Sequence, residues 1–171
     1  MHTTLADAAD SLAAQLRGFG DTAHVVAHSL GGVIACEAYD RHVDLPAGRV
    51  VLLGSPVQGS RSARAVAGRW YGVAALGPLA MAELAQVRQR RWRHARELAL
   101  VSGRRSAGLG RLFADLPQPN DGTVCVDETE LPGASDRAVL DVTHTGMLLS
   151  SEVAEAAISF LRDGRCTHNG A

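Results

Sequence analysis

Three side chains that lie far apart in the sequence could together carry out nucleophilic chemistry: Ser29, Asp121 and His144. A serine hydroxyl is a weak nucleophile near neutral pH and needs a neighbouring base to take its proton. Histidine suits that task because its unperturbed pKa is about 6.5, and a buried carboxylate can hold its ring in the useful tautomer. These are the residue types that an activated serine requires, provided that the fold brings them together.

The sequence around Ser29 has the pattern of a sharp turn from a strand into a helix. A short apolar run ends at His28, and Gly31 and Gly32 follow the serine before an apolar, helix-like segment begins. Such a turn exposes the hydroxyl at the carboxyl end of the strand, and the next backbone N–H points at the group that the hydroxyl attacks. We expect Gly31 to let the crowded turn close without a Cβ clash.

This motif resembles the G-x-S-x-G nucleophile elbow of the α/β-hydrolases, with Ala27 in the place of the first glycine. Alanine is the smallest residue that has a Cβ, so we expect only modest strain there. A competing interpretation is an ordinary strand-to-helix turn in which Ser29 caps the helix, because serine is favoured at helix starts. Asp121 and His144 follow Ser29 in the chain order Ser, Asp, His of the α/β-hydrolases, and this order favours the interpretation of Ser29 as a nucleophile.

Asp121 is the predicted acid. It follows the third predicted strand by a loop and lies in the sequence Asn-Asp-Gly-Thr, where a turn and a catalytic acid are compatible. Asp141 lies within the last predicted strand, and Asp127 belongs to an acidic, surface-like run with Glu128 and Glu130. The third competing aspartate is Asp115.

His144 is the predicted base, since it follows a strand and precedes a helix. His28 adjoins the nucleophile but, on the pleat of the strand, is expected to point away from it. The other histidines, most of them terminal, at the wrong end of a strand or in an arginine-rich segment, suit the role less well. They are His2, His24, His42, His94 and His168.

The apolar periodicity predicts helices that alternate with strands. The predicted helices cover residues 5–17, 30–41, 60–72, 79–96 and 151–161. The predicted strands cover residues 24–27, 49–54, 97–103 and 137–142. Residues 104–120 are a predicted loop, and residues 123–132 are ambiguous. Alternation of this kind indicates an α/β fold with about four parallel strands, in which ligands bind beyond the carboxyl ends of the strands. Ser29, Asp121 and His144 all fall at or after such ends.

Length and composition indicate a single soluble domain over residues 1–171. Apolar residues make up 46% and charged residues 20% of the sequence, and the net charge of -1 argues against a nucleic-acid-binding protein. The sequence has no apolar stretch long enough for a transmembrane helix. It also has no recognisable signal peptide, which favours a cytoplasmic location, although a leader could precede this sequence.

The remaining features have structural interpretations. Three widely spaced cysteines fit neither a disulfide framework nor a zinc site. The arginine-rich segment around Trp92 is interpreted as a solvated helix rather than a site for nucleic acid or lipid. Apolar residues before and after residue 75 could line an acyl pocket or belong to the core. They are Ala65, Val66, Trp70, Tyr71, Val73, Leu76, Leu79 and Met81.

Four separated pieces of the sequence resemble the carboxyl-terminal half of bacterial α/β-hydrolases of the esterase and lipase type. The pieces, from about residue 23 to residue 161, are AHSLGG, VVLLGSPVQGSRSAR, NDGTVCVDETELPGA and VTHTGMLLSSEVAEAAISFLR. The resemblance implies an ester-hydrolysing enzyme without metal or cofactor, acting on a small-molecule or lipid ester. Ser29 would attack the carbonyl, His144 would act as base and then as acid, and Asp121 would orient His144. The Leu30 N–H would be one oxyanion donor.

The resemblance also implies parts that this sequence lacks. In this family further strands and an oxyanion loop precede the nucleophile, whereas only 23 residues precede His24 here. The second oxyanion donor has no visible source. One edge of the first strand would be bare, so we expect either self-association through that edge or a true start further upstream.

Two other functions remain open from the sequence. The chain could be a catalytically impaired remnant with a binding or assembly role. It could also use the same three residues for thioester hydrolysis or acyl transfer.

Overall fold

The computed structural model describes residues 3–67, 77–107 and 116–167. Its centre is a four-stranded, fully parallel sheet in which the spatial order of the strands equals their order in the chain. The strands are β1 (Val25–His28), β2 (Val50–Leu53), β3 (Leu98–Gly103) and β4 (Asp136–Leu140). The predicted α/β class with four parallel strands is thereby confirmed.

Five described helices flank the sheet. They are α1 (Leu5–Arg17), α2 (Leu30–Arg41), α3 (Arg61–Val66), α4 (Pro78–Leu84) and α5 (Ser151–Asp163). Local sequence explains where they begin, because Thr4 and Asp7 form a capping box at α1 and Ser150 caps α5 through the Val153 N–H. None of the helices in the described ranges is long and apolar enough to cross a membrane.

The two central strands are buried on both faces, which is why they read as continuous apolar runs in the sequence. Alternate residues of β2 point to opposite sides: Val50 and Leu52 join one apolar cluster, and Val51 and Leu53 join the other. The first cluster contains residues of α1 and α2, and the second contains residues of α5. The sheet therefore lies between α1 and α2 on one side and α5 on the other.

Strand β1 forms one edge of the sheet. It pairs with β2 from Val25 opposite Val50 to His28 opposite Leu53, and no strand of the described ranges pairs with its other side. The side chain of Val26 is 50% exposed. The bare edge expected from the sequence is present within the described part of the chain.

The prediction of a helix over residues 79–96 is wrong beyond Leu84. The following backbone groups bind other segments instead: the Arg88 N–H donates to the Gln58 carbonyl at 2.9 Å, and the Trp92 N–H donates to the Pro132 carbonyl at 2.8 Å. These long-range bonds replace the local ones that a helix would need. Trp92 is only 6% exposed, and its ring packs edge-on against Tyr39.

The arginines of this segment are consequently not spread around a helix. Arg90 pairs with Glu37 at 3.3 Å, Arg88 pairs with Glu83 at 3.0 Å, and Arg96 donates to the carbonyls of Leu45 and Pro46. These three arginines hold neighbouring segments together.

Two other predicted boundaries shift. The helix predicted over residues 60–72 is α3 up to Val66, and its last part lies outside the described residues. The ambiguous segment 123–132 contains one 3-10 turn, Val126–Thr129.

Candidate active site

Ser29 occupies the turn between β1 and α2 in a strained backbone conformation. Its φ is 55° and its ψ is -125°, and among the described residues it alone combines a side chain with a positive φ. Such a conformation costs on the order of 1–3 kcal/mol and persists only where the surrounding structure imposes it. The predicted sharp strand-to-helix turn is therefore present at the predicted serine.

The Ser29 hydroxyl does not cap the helix, although Ser29 lies at the N-cap position of α2. Its Oγ lies 3.1 Å from Nε2 of His144 instead. This contact contradicts the interpretation of an ordinary capping serine, because the hydroxyl turns towards a ring nitrogen 115 residues away in sequence.

The Asp121 carboxylate determines which nitrogen of His144 carries the proton. Nδ1 of His144 lies 2.7 Å from Oδ2 of Asp121, and a carboxylate oxygen can only accept, so Nδ1 is the donor. Nε2 then keeps its lone pair and can accept the proton of the Ser29 hydroxyl. The structure brings the three predicted side chains together in the order that proton transfer from the serine requires.

Asp121 is held by its own turn. Its side chain is 1% exposed, and Oδ1 accepts from the backbone N–H groups of Thr123 at 2.9 Å and Val124 at 2.7 Å. The Asp121 carbonyl also accepts from the His144 N–H at 2.9 Å. The Asp-Gly turn that competed as an interpretation is thus the device that orients the carboxylate.

Two glycines at strand ends make room for the Asp121–His144 pair. Gly54, just after β2, has a φ of +51°, and a Cβ there would lie 3.2 Å from both Oδ2 of Asp121 and Nδ1 of His144. A Cβ at Gly103, the last residue of β3, would lie 2.8 Å from Cβ of Asp121. The pair rests on the backbone of two neighbouring strands.

The elbow depends on its glycines differently from the prediction. A Cβ at Gly31 would meet only the Cβ of Ala27, at an ordinary 3.8 Å, so Gly31 is not required to avoid a clash. A Cβ at Gly32 would lie 2.1 Å from Oγ of Ser55. The close approach between α2 and the segment that follows β2 is therefore at Gly32, and Ala27 makes only an ordinary contact.

The predicted oxyanion donor, the Leu30 N–H, lies at the amino terminus of α2. It makes no hydrogen bond to any described residue, since the first N–H groups of a helix have no partner within it. The helix dipole favours negative charge at this point.

His28 differs from its prediction. Its ring was expected to point away from the site, yet its Nε2 lies 3.0 Å from the His144 carbonyl oxygen. The two imidazole rings are 4.6 Å apart between centroids. Strand alternation could not reveal this contact, because His144 reaches His28 from the far end of the chain.

The competing acids and bases that the structure describes have other partners. Asp127 pairs with Arg61 at 2.8 Å, and Asp141 pairs with Arg105 at 2.7 Å. Among the histidines, His42 lies 2.8 Å from Asp10, and His94 lies 2.9 Å from Asp40. His24 accepts from the Arg49 N–H. Asp115, His2 and His168 lie outside the described residues.

Glu128 was assigned to a surface-like run and is in fact buried, with 4% exposure. Its carboxylate accepts from the N–H of Cys125 at 2.8 Å and from the N–H of Arg61. Burial raises the pKa of this carboxyl. Glu128 thus ties the segment that carries Asp121 to the start of α3.

The residue that follows the nucleophile, Leu30, belongs to a group of apolar side chains. Leu30, Ile34 and Leu79 are partly buried and pack against a cluster that contains Val33 and Ala63. Of the residues considered for an acyl pocket, Val66 is buried, whereas Trp70, Tyr71, Val73 and Leu76 lie outside the described residues.

The cysteines and acidic side chains of the described residues form no metal-binding group. Cys36 and Cys125 are buried, Cys166 is half-buried, and all three are free thiols. Burial raises the pKa of Cys36 to about 12, which leaves this thiol uncharged at neutral pH.

The sequence of residues 1–162 matches the model of the alpha/beta hydrolase family. The chain belongs to this family. No curated protein matches the chain. Among solved structures, the mature form of the Bacillus licheniformis lipase BlEst2 has a TM-score of 0.67 at 21% identity, covering 94% of this chain and 74% of that one. The propeptide form of the same lipase has a TM-score of 0.73 at 22% identity, covering 99% of this chain and 43% of that one.

These likenesses establish the α/β-hydrolase fold. The chain spans less than half of the lipase in its propeptide form. The α/β-hydrolase membership expected from the sequence is confirmed by the family match, and the fold by these two structures.

Proposed function

We propose that this α/β-hydrolase cleaves carboxylic esters through an acyl-enzyme on Ser29. The observation that carries the proposal is the pair of hydrogen bonds from Asp121 through His144 to Ser29, at 2.7 and 3.1 Å, with the serine in a strained turn. A serine whose only role is to cap a helix does not require a hydrogen bond between its hydroxyl and an oriented imidazole.

In the proposed reaction the Ser29 Oγ attacks the ester carbonyl while Nε2 of His144 takes its proton. The tetrahedral intermediate then collapses, the ester C–O bond breaks, and His144 returns the proton to the leaving alcohol. Water, activated by the same imidazole, cleaves the acyl-enzyme and restores Ser29. Asp121 orients the ring throughout and stabilises the imidazolium. The Leu30 N–H donates to the oxyanion in both tetrahedral intermediates.

The proposed substrate is a small or medium acyl ester. Leu30, the residue after the nucleophile, is partly buried with Ile34 and Leu79 against one apolar cluster, which supports an apolar acyl group rather than a charged one. A lipase that shares the fold is consistent with this substrate class. The cytoplasmic location stays a prediction from the sequence.

The oxyanion site favours one rival function, that of a catalytically impaired hydrolase. The sequence assigns the Leu30 N–H as one donor and gives no source for the second, and losing one donor of a pair costs about 2.7–4 kcal/mol of transition-state stabilisation in hydrolases. A Ser29 that can be acylated without turnover would favour this rival.

The test combines turnover with covalent labelling. The protein is assayed with p-nitrophenyl esters of increasing acyl length, and Ser29 is labelled with a fluorophosphonate and located by mass spectrometry. Ser29→Ala supplies the blank, and Ser151→Ala, an exposed serine at the start of α5, is the matched control. We expect labelling and hydrolysis in the parent protein and in Ser151→Ala, and neither in Ser29→Ala. Equal rates in the parent protein and in Ser29→Ala would refute the esterase proposal.

Two product measurements separate the related activities. Adding an alcohol acceptor and analysing the products distinguishes acyl transfer from hydrolysis. Replacing the ester by the matching thioester measures the preference of the same site for thioesters.

We further propose that the bare edge of β1 pairs with a second copy of the chain. Val26 is half-exposed on this edge, and unpaired strand edges promote association. Light scattering after size exclusion should show a dimer or larger species, and Val26→Lys should shift it towards monomer. A folded monomer at all concentrations up to about 0.1 mM would count against self-association.

A further inference from the structure

His28 and His144 are in contact although only one of them belongs to the proposed proton transfer. His28 is the last residue of β1, directly before the nucleophile. Its Nε2 lies 3.0 Å from the His144 carbonyl oxygen, and the two rings meet at a tilt of 43°. The contact therefore links the strand that carries Ser29 to the loop that carries His144.

The chemistry of this contact assigns a proton. A carbonyl oxygen only accepts, so His28 must carry hydrogen on Nε2 and donate. The His144 peptide is then held at both ends: its N–H donates to the Asp121 carbonyl at 2.9 Å, and its C=O accepts from His28. The His144 ring is held by Asp121 on one nitrogen and by Ser29 on the other.

We propose that His28 is a positioning residue for His144, which it aligns with the Ser29 hydroxyl by donating Nε2–H to the His144 carbonyl and by packing against its ring. This inference rests on the proposed function of Ser29 and His144. It goes beyond that function because the residue before a nucleophilic serine has no role in the proton transfer itself.

The surroundings of His28 keep the ring neutral, which suits this role. Burial, followed by the charge of His144, lowers the pKa of His28 below its ordinary value, and the charged groups that act on it are His144 and Asp121. A neutral ring does not repel the imidazolium that forms on His144 during the reaction. A protonated ring at 4.6 Å would oppose it.

The first test uses the parent protein. Long-range proton–nitrogen NMR on ¹⁵N-labelled protein at pH 7.5 reports which nitrogen of each histidine carries hydrogen. We expect the Nε2–H tautomer for His28 and the Nδ1–H tautomer for His144. An Nδ1–H tautomer at His28 would overturn the proposal without any substitution.

The second test separates the donor from the ring. His28→Phe keeps a ring but has no donor, whereas His28→Gln has an amide N–H that can reach the position of Nε2. His94→Phe is the matched control, since His94 is also packed against an aromatic ring but is bonded to Asp40 rather than to a residue of the site. The readouts are kcat, KM, the second-order rate of fluorophosphonate labelling, the His144 Nδ1–H resonance, and urea unfolding to confirm that each variant is folded.

We expect His28→Phe to lower kcat and the labelling rate about three- to tenfold with KM unchanged, as the loss of one hydrogen bond implies. The His144 Nδ1–H resonance should shift or broaden. His28→Gln should stay within about twofold of the parent protein, because it restores the donor. His94→Phe should leave the labelling rate unchanged.

Labelling of folded His28→Phe at the parent rate would overturn the proposal, as would a loss in His28→Gln as large as in His28→Phe. Failure of the proposed function gives a different result. In that case a fluorophosphonate does not label Ser29 even in the parent protein, while the tautomer of His28 still tests the contact.

Discussion

Replacing Asp121 by asparagine is expected to lower kcat for p-nitrophenyl esters about 10⁴-fold while leaving the fold intact. Oδ1 of Asp121 accepts two backbone N–H groups, and the oxygen of asparagine can take over both bonds. The amide NH₂ must then face Nδ1 of His144, where Oδ2 stood. Because NH₂ can only donate, Nδ1 has to accept, and the ring proton moves to Nε2.

A proton on Nε2 blocks the proposed reaction. Nε2 lies 3.1 Å from the Ser29 Oγ, and once protonated it donates to the hydroxyl instead of taking its proton. The expected loss is therefore in kcat and in the rate of fluorophosphonate labelling, with little change in the free energy of unfolding. Steady-state kinetics and urea unfolding of the same preparation measure both quantities.

Asp127→Asn is the matched control for this prediction. Asp127 lies six residues further on, is exposed, and pairs with Arg61, whose hydrogen bonds lower the pKa of the Asp127 carboxyl. An exposed ion pair contributes about 0–1 kcal/mol, so kcat should change less than about twofold. Activity in folded Asp121→Asn within tenfold of the parent protein would show that Asp121 does not orient the base.

Replacing Gly32 by alanine is expected to lower the free energy of unfolding by about 1–3 kcal/mol, and by more if α2 cannot move away from β2. The added Cβ would lie 2.1 Å from Oγ and 2.5 Å from Cβ of Ser55. Ser55 is 1% exposed and its hydroxyl donates to the Leu53 carbonyl, so it has no space into which to turn. A shift of α2 would also displace Ser29, so activity should fall together with stability.

Gly31→Ala is the control one position earlier. Its Cβ would make only an ordinary contact with Ala27, and alanine is favoured over glycine in a helix by about 1 kcal/mol. We expect unchanged or increased stability in urea unfolding, the opposite sign to Gly32→Ala. Ser55→Gly should rescue Gly32→Ala in a double-mutant cycle, since it removes both clashing atoms. Equal destabilisation by the two alanines would contradict the close approach at Gly32.

Local patterns predicted most of the fold. Helices α1 and α2 have the predicted bounds, since amphipathic spacing and end signals are written in neighbouring residues. Strands β2 and β3 were visible as apolar runs because both of their faces are buried. Residues 85–96 were not predictable in this way, because their backbone groups bind Gln58 and Pro132, which no local pattern couples to them.

The residues of the site likewise fall into those that local patterns predicted and those that depend on long-range contacts. Ser29, Asp121 and His144 were chosen from residue type, from position after strand ends and from their order in the chain, all of which the sequence contains. The contact of His28 with His144, the burial of Glu128 and the steric need for Gly32 were missed. Each depends on a partner at least 20 residues away, and the side chains of a strand end or turn can point in several directions.

The sequence by itself therefore determined the α/β class, the number of parallel strands and the three residues proposed for catalysis, because periodicity and turn chemistry act between near neighbours. The tertiary structure alone decided the tautomer of His144 and the direction of the Ser29 hydroxyl. It also decided that the Asp121–His144 pair packs against the backbone at Gly54 and Gly103. Hydrogen bonds and steric contacts at 2.7–3.2 Å depend on where folding places segments that are remote in the chain.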